Sequence, residues 1–204
     1  KAEGTGNMKE LLGGKGAGLA EMTNLKVSVP PGFTISTEAC VESYKRGKAY
    51  PPGMMDEALH ALKRIERPMK AGFGDPDNPL LVSVRSGARA SMPGMMDTVL
   101  NVGLTTKTVH GLALKTKNER FAQDSYRRFI GMFGSIVMGV NREHFEDILK
   151  HKKRDLGVTQ DTHLDAKALK ELVVSFKELV KEETKRDFPD DPLEQLRMAI
   201  NAVF

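Results

Sequence analysis

The chain has 204 residues, 40% of them apolar and 28% charged, an ordinary balance for a water-soluble fold with a core large enough to divide into two units. No apolar run approaches the ~20 residues a bilayer crossing needs, and one cysteine, Cys40, excludes a disulfide-stapled scaffold and points to a reducing compartment. A formal charge of +4, shared evenly between the halves, favours neither a nucleic-acid nor a membrane partner.

The chain opens at Lys1 without a methionine and stops at Phe204 inside an amphipathic pattern, as expected of an excerpt from a longer protein; no signal or transit segment is legible. Most of the 19 glycines and 10 prolines lie before Gly103, while the aromatics gather behind it. This predicts a turn-rich subdomain over 1–117 and a helical one over 118–204.

In chain order, Lys9-Glu10-Leu11-Leu12 leads into Gly13-Gly14-Lys15-Gly16, and a helix is expected from Ala17 through Met22. Phe33-Thr34-Ile35-Ser36 alternates as a short strand would, and a helix is predicted from Thr37 to about Lys45. Another follows Pro51-Pro52 with Leu59, Leu62 and Ile65 on one face. Leu80 through Arg85 is short, branched and bounded by Pro79 and Gly87, which makes it the clearest strand. Helix and strand alternating in this way imply an α/β layer. Beyond it, Phe121, Ser125, Phe129, Phe133 and Val137 form an i+4 row, thickened by Met132 and Ile136. Leu169, Leu172, Val173, Phe176, Leu179 and Val180 give a second stripe, and Leu193, Leu196, Ile200 and Val203 a third. The last helix has a start signal in Asp191, Pro192 and Glu194.

Two segments can carry chemistry. Glycines in Gly13-Gly14-Lys15-Gly16 let the backbone approach a ligand closely and aim N–H groups at it. A helix starting behind them adds a positive dipole end, and Lys15 adds a mobile cation. That suits a polyphosphate, although the spacing fits neither a Walker A loop nor a dinucleotide fingerprint; a glycine-rich turn before a helix can also be purely structural. The second segment runs from Ser83 to Thr98. Arg85, at the C-terminal end of a strand, can bridge two phosphate oxygens and keeps its charge near neutral pH. The stretch Ser91, Met92, Pro93, Gly94, Met95 and onward to Thr98 is small, hydroxylated and turn-forming, as a loop folding over phosphates would be. A salt bridge at Arg85 and methionines filling core is the alternative.

Other groups point to structure. The five histidines lack metal-ligand spacing and no hydrolase elbow is present. Cys40 reads as packing. Lys150-His151-Lys152-Lys153-Arg154 reads as a solvated helix end complementing the dipole, and Asp75, Asp77, Asp190 and Asp191 as turn or cap residues.

These segments carry a resemblance. Leu11-Leu12-Gly13-Gly14-Lys15-Gly16-Ala17, Val29-Pro30-Pro31-Gly32-Phe33-Thr34-Ile35, Ser83-Val84-Arg85-Ser86-Gly87, Ser91-Met92-Pro93-Gly94-Met95-Met96-Asp97-Thr98 and Asp124-Ser125-Tyr126-Arg127-Arg128-Phe129 together resemble the N-terminal region of the pyruvate, phosphate dikinase family. The resemblance implies an ATP-grasp-like nucleotide-binding subdomain followed by an all-helical one, α+β or α/β in class, within a multidomain phosphotransferase. Such an enzyme converts ATP, phosphate and pyruvate to AMP, diphosphate and phosphoenolpyruvate through a phosphohistidine on another domain. By motif, Lys15 and Arg85 match the family's catalytic polyphosphate-binding cations. Ser91, Met92, Pro93, Gly94, Met95 and Thr98 match its phosphate-covering loop.

The implied partners are ATP with Mg2+, whose ligands are expected outside these residues, and the phosphohistidine domain and pyruvate-binding barrel of the same chain. A homodimer in the cytoplasm, plastid or glycosome is implied, with no nucleic-acid or membrane partner; alone, the 204 residues are expected to be inactive. Alternatives are a phosphoenolpyruvate synthase-like or glucan, water dikinase-like ATP-binding region, against which the Met-Pro-Gly-Met-Met-Asp stretch argues, and a non-catalytic nucleotide-binding or interaction module.

Overall fold

The glycine run does not precede the first helix; it lies inside it. In the computed structural model, which describes residues 2–87 and 98–204, helix α1 spans Lys9–Asn24 and is interrupted where Gly13 adopts φ 67° and ψ 172°. Only glycine adopts that conformation readily. The helix stops there and restarts at Gly14, so Gly14, Lys15 and Gly16 form a first helical turn.

The chain is α+β, helix-rich with two small sheets, and it divides into two compact units. One comprises, of the described residues, 2–71, 85–87, Thr98 and 203–204. It holds α1, α2 (Thr37–Lys45) and α3 (Met54–Met69). Helix α2 starts where Ser36 accepts the Ala39 N–H at 3.4 Å and ends, as expected, at Lys45. The segment before it corrects the sequence reading: Phe33–Ser36 forms no strand, because no neighbouring strand pairs with it, and Phe33 and Thr34 are exposed. On α3 the buried face is Met54, Ala58, Leu62 and Ile65, with Leu59 half-buried at its margin. Cys40 lies where its thiol contacts the Phe204 carbonyl at 3.5 Å, and burial pushes that thiol up, away from the reactive thiolate.

The second unit comprises Gly72–Val84 and Val99–Ala202. Strands β1 (Gly72–Phe73) and β2 (Pro79–Leu80) run parallel, Gly72 opposite Pro79. Asp75 closes the turn between them by accepting the N–H groups of Asp77 and Asn78 at 2.9 and 3.1 Å, and these bonds hold its carboxyl below the usual range. The strand expected over 80–85 is split at Leu81; its second part, β3 (Val82–Arg85), pairs with β4 (Thr98–Val102), which buries Val99 and Val102.

Helices α4 (Thr108–Thr116), α5 (Glu119–Ile136), α6 (Arg142–Asp155), α7 (Ala166–Thr184) and α8 (Pro192–Val203) follow. Helix α5 packs on α4 and α7, and α6 packs on α7. The α7 stripe is as expected but for Leu179, which is half-buried: Leu169, Leu172, Val173, Phe176 and Val180 are buried. On α5 the expected row is displaced. Ala122, Tyr126, Phe129, Ile130 and Phe133 face inward, whereas Phe121 is 48% exposed and Ser125 and Val137 only half-buried. Rings of Phe129, Phe133 and Phe188 meet at 5.3–5.8 Å between centroids.

The α5 face also buries charge. Arg127 lies 2.6 Å from Asp124 and 3.3 Å from Asp161, and Lys153 of α6 lies 2.8 Å from Asp161. Arg120 adds bonds to the carbonyls of Asp161 and Leu164 at 2.7 and 2.8 Å. The short 3-10 turn Asp161–His163 is thereby tied to α5 and α6. Much of the basic run is engaged too: Lys150 pairs with Asp147, Lys152 with Glu171 and Lys153 with Asp161.

Asp191 caps α8 by accepting the Leu193 N–H at 2.8 Å. Asp190, expected to serve only its turn, is a tertiary anchor. Its carboxylate accepts from the Thr106 N–H (2.8 Å), the Thr106 hydroxyl (2.9 Å) and the Tyr126 hydroxyl (3.2 Å), with Lys177 at 3.7 Å. Burial foremost, with the Asp190 charge added, raises the Tyr126 phenol far above its ordinary range, so it remains a donor.

Candidate functional site

The site begins with the break at Gly13. A helix restarting at Gly14 presents the positive end of its dipole there and aims its first N–H groups along the same axis. Those N–H groups belong to Gly14, Lys15 and Gly16. Small residues permit the arrangement. A Cβ at Gly13 would stand 1.7 Å from the Gly87 carbonyl oxygen, far inside any van der Waals contact, so the two backbones meet only because position 13 has no side chain. A Cβ at Gly16 would meet the Thr34 hydroxyl oxygen at 2.9 Å and its methyl carbon at 3.0 Å.

Gly87 lies two residues past Arg85, and Gly13 two residues before Lys15. The structure thus brings the backbones of the two predicted segments into contact. Lys15 is half-buried in the restarted helix, and Arg85 is exposed at the C-terminal end of β3. Among the described residues neither cation has an ion-pair partner. Thr98 is the half-buried first residue of β4. Ser91, Met92, Pro93, Gly94 and Met95 lie outside the described residues.

Two contributors escaped the sequence reading. Gly87 and Thr34 stood in the quoted motifs without a role of their own; the first touches Gly13 and the second covers Gly16. The signal for both was the glycines facing them, since a glycine inside a helix often marks a close approach.

Among the described residues no group of three or more His, Cys, Asp or Glu side chains could hold a metal ion. No described helix is long and apolar enough to cross a membrane.

The sequence of the chain has relatives of known class. Residues 9–59 match the family model described as Pyruvate phosphate dikinase, AMP/ATP-binding domain. Over all 204 residues the chain is 54% identical to pyruvate, phosphate dikinase, chloroplastic, of Flaveria pringlei, covering 21% of that protein. It is likewise 54% identical to pyruvate, phosphate dikinase 1, chloroplastic, of Arabidopsis thaliana, covering 21%, and 53% identical to pyruvate, phosphate dikinase 2 of Zea mays, covering 23%. The chain spans about a fifth of the length of the curated relatives it matches. The resemblance to the pyruvate, phosphate dikinase family therefore holds along the entire chain.

Proposed function

We propose that the chain is the N-terminal, ATP-grasp-like, polyphosphate-holding part of a pyruvate, phosphate dikinase. On this reading residues 1–117 serve as the nucleotide subdomain and 118–204 as the helical one. A phosphohistidine domain and a pyruvate-binding barrel of the same protein complete the reaction, and the protein works as a homodimer in the cytoplasm, a plastid or a glycosome. The observation that carries it is the backbone meeting of Gly13 and Gly87, which sets a fresh helix start beside the segment that ends in Arg85.

Transfer of phosphoryl-type groups asks the protein chiefly to position reactants and to offset charge on the oxygens. In this chain the N–H groups of Gly14, Lys15 and Gly16 supply fixed dipoles, Lys15 a mobile charge and Arg85 a planar fork for two oxygens. Thr98 and the Ser91–Met95 stretch are assigned to covering the phosphates. Magnesium, when bound with ATP, would supply further charge neutralisation; no residue of this chain is assigned to it.

The test is made in the full-length enzyme with Lys15→Ala and Arg85→Ala. Each is expected to slow AMP formation from ATP by about 10²–10³-fold, the usual cost of one transition-state charge contact, while the exchange between pyruvate and phosphoenolpyruvate continues at its normal rate. Normal AMP formation in both variants would overturn the assignment.

A further inference from the structure

The break in α1 is held from outside the helix. The Thr37 hydroxyl, at the start of α2, donates to the Glu10 carbonyl oxygen at 2.5 Å, across 27 residues of sequence. Glu10 belongs to the short first segment of α1, immediately before the break. In an unbroken helix the bond to that carbonyl would come from the Gly14 N–H and would span Gly13, whose backbone is not helical here. A side-chain hydroxyl supplied by the next helix is a partner that does not require α1 to be continuous.

We propose that Thr37 is a positioning residue for the reaction. By binding the Glu10 carbonyl it stabilises the broken form of α1, in which Gly14, Lys15 and Gly16 start a new helix and present their N–H groups and the Lys15 ammonium to the polyphosphate. Thr34, three residues earlier, covers Gly16 from the same segment, so one stretch of chain fixes the glycine turn at two points. Ser36 caps α2 through the Ala39 N–H, which leaves the Thr37 hydroxyl free of the capping role and available to α1. Thr37 acts through the loop and touches no substrate itself.

This inference rests on the reading of Lys15 given above, and the experiment separates the two. In the full-length enzyme, Thr37→Val removes the hydroxyl at nearly constant volume and Thr37→Ser keeps it. A reacting group displaced by about an ångström loses up to roughly 100-fold in rate. Thr37→Val is therefore expected to lower kcat/KM for AMP formation by about 10- to 100-fold, with the pyruvate exchange and the thermal midpoint unchanged, and Thr37→Ser to restore the rate. In the Lys15→Ala background, Thr37→Val should add little, because both changes remove the same presented charge. Fully additive losses, equal losses in both half-reactions, or an unaltered rate in Thr37→Val would each overturn the positioning role while leaving the Lys15 assignment standing. A normal rate in Lys15→Ala alone would instead sink the underlying reading.

Discussion

Gln195, fully buried on α8, accepts the Gly103 N–H at 2.9 Å with its side-chain oxygen and donates from its amide nitrogen to the carbonyls of Leu104 and Pro189 at 2.8 and 2.9 Å. One amide thus serves the turn after β4 and the chain entering α8.

Replacing it by leucine strands an N–H and two carbonyls in the core. Each unsatisfied buried group costs about 1–3 kcal/mol, so Gln195→Leu, which leaves three, is expected to lose at least about 3 kcal/mol of unfolding free energy in urea titration. Gln195→Glu should be no better, since a buried carboxylate would face the same two carbonyl oxygens. A change within about 0.5 kcal/mol for the leucine variant, the range usual for surface substitutions, would contradict this role.

The acid limb of stability should be set in part by Asp161. Its carboxyl is pushed up by burial, but the Lys153 hydrogen bond and the charges of Arg127, Lys153 and Arg128 outweigh that, and it lies below its ordinary value of 3.8. A depressed folded pKa stabilises the fold above the unfolded value and loses that contribution as pH falls through the folded value. Thermal melts should therefore show full stabilisation above about pH 4 and a progressive loss below it. Lys153→Met, which removes the first lowering partner, should flatten that limb; an unchanged profile would contradict the assignment.

Arg127 is the harder loss. With its side chain only 7% exposed between Asp124 and Asp161, Arg127→Met leaves carboxylates partly uncompensated in the interior, a change that costs about 3–5 kcal/mol in comparable settings. Circular dichroism should show the unfolding midpoint falling accordingly. Asp124 retains Arg128 at 3.0 Å, which places the expected loss at the lower end of that range.

Two glycines of α1 should respond oppositely to alanine. Gly13→Ala puts a Cβ into the Gly87 carbonyl in a backbone conformation that is essentially restricted to glycine and is expected to destabilise by at least about 1–3 kcal/mol, with AMP formation impaired. Gly18, helical with nothing within 4 Å of its would-be Cβ, should gain about 0.5–1 kcal/mol as alanine, with activity retained. Differential scanning calorimetry on both variants decides the pair.

Legibility followed the kind of force at each position. The α7 stripe and the starts of α2 and α8 were readable because apolar spacing and a capping side chain are local signals. The inward face of α5 was not, because Asp124 and Arg127 are buried there and a sequence reading assigns charge to water. Their mutual neutralisation, together with Asp161 from 34 residues away, exists only after folding. The same holds for Asp190, whose partners Thr106 and Tyr126 are distant in sequence. At the glycine turn, the residue types announced a close approach but not its partner, so the restart of α1 at Gly14 and the contact with Gly87 emerged only in three dimensions. Phe33–Ser36 alternates as a strand does, yet alternation records exposure and not the presence of an edge to join.

The ion pairs along Lys150–Lys153 have a bearing on how a nucleotide would find this protein. Three ammonium groups of that basic run have carboxylates as neighbours, which mutes the field they project at physiological salt. On the proposed reading, a triphosphate would feel little competing pull from that stretch, and capture would rest on short-range fit at the glycine turn.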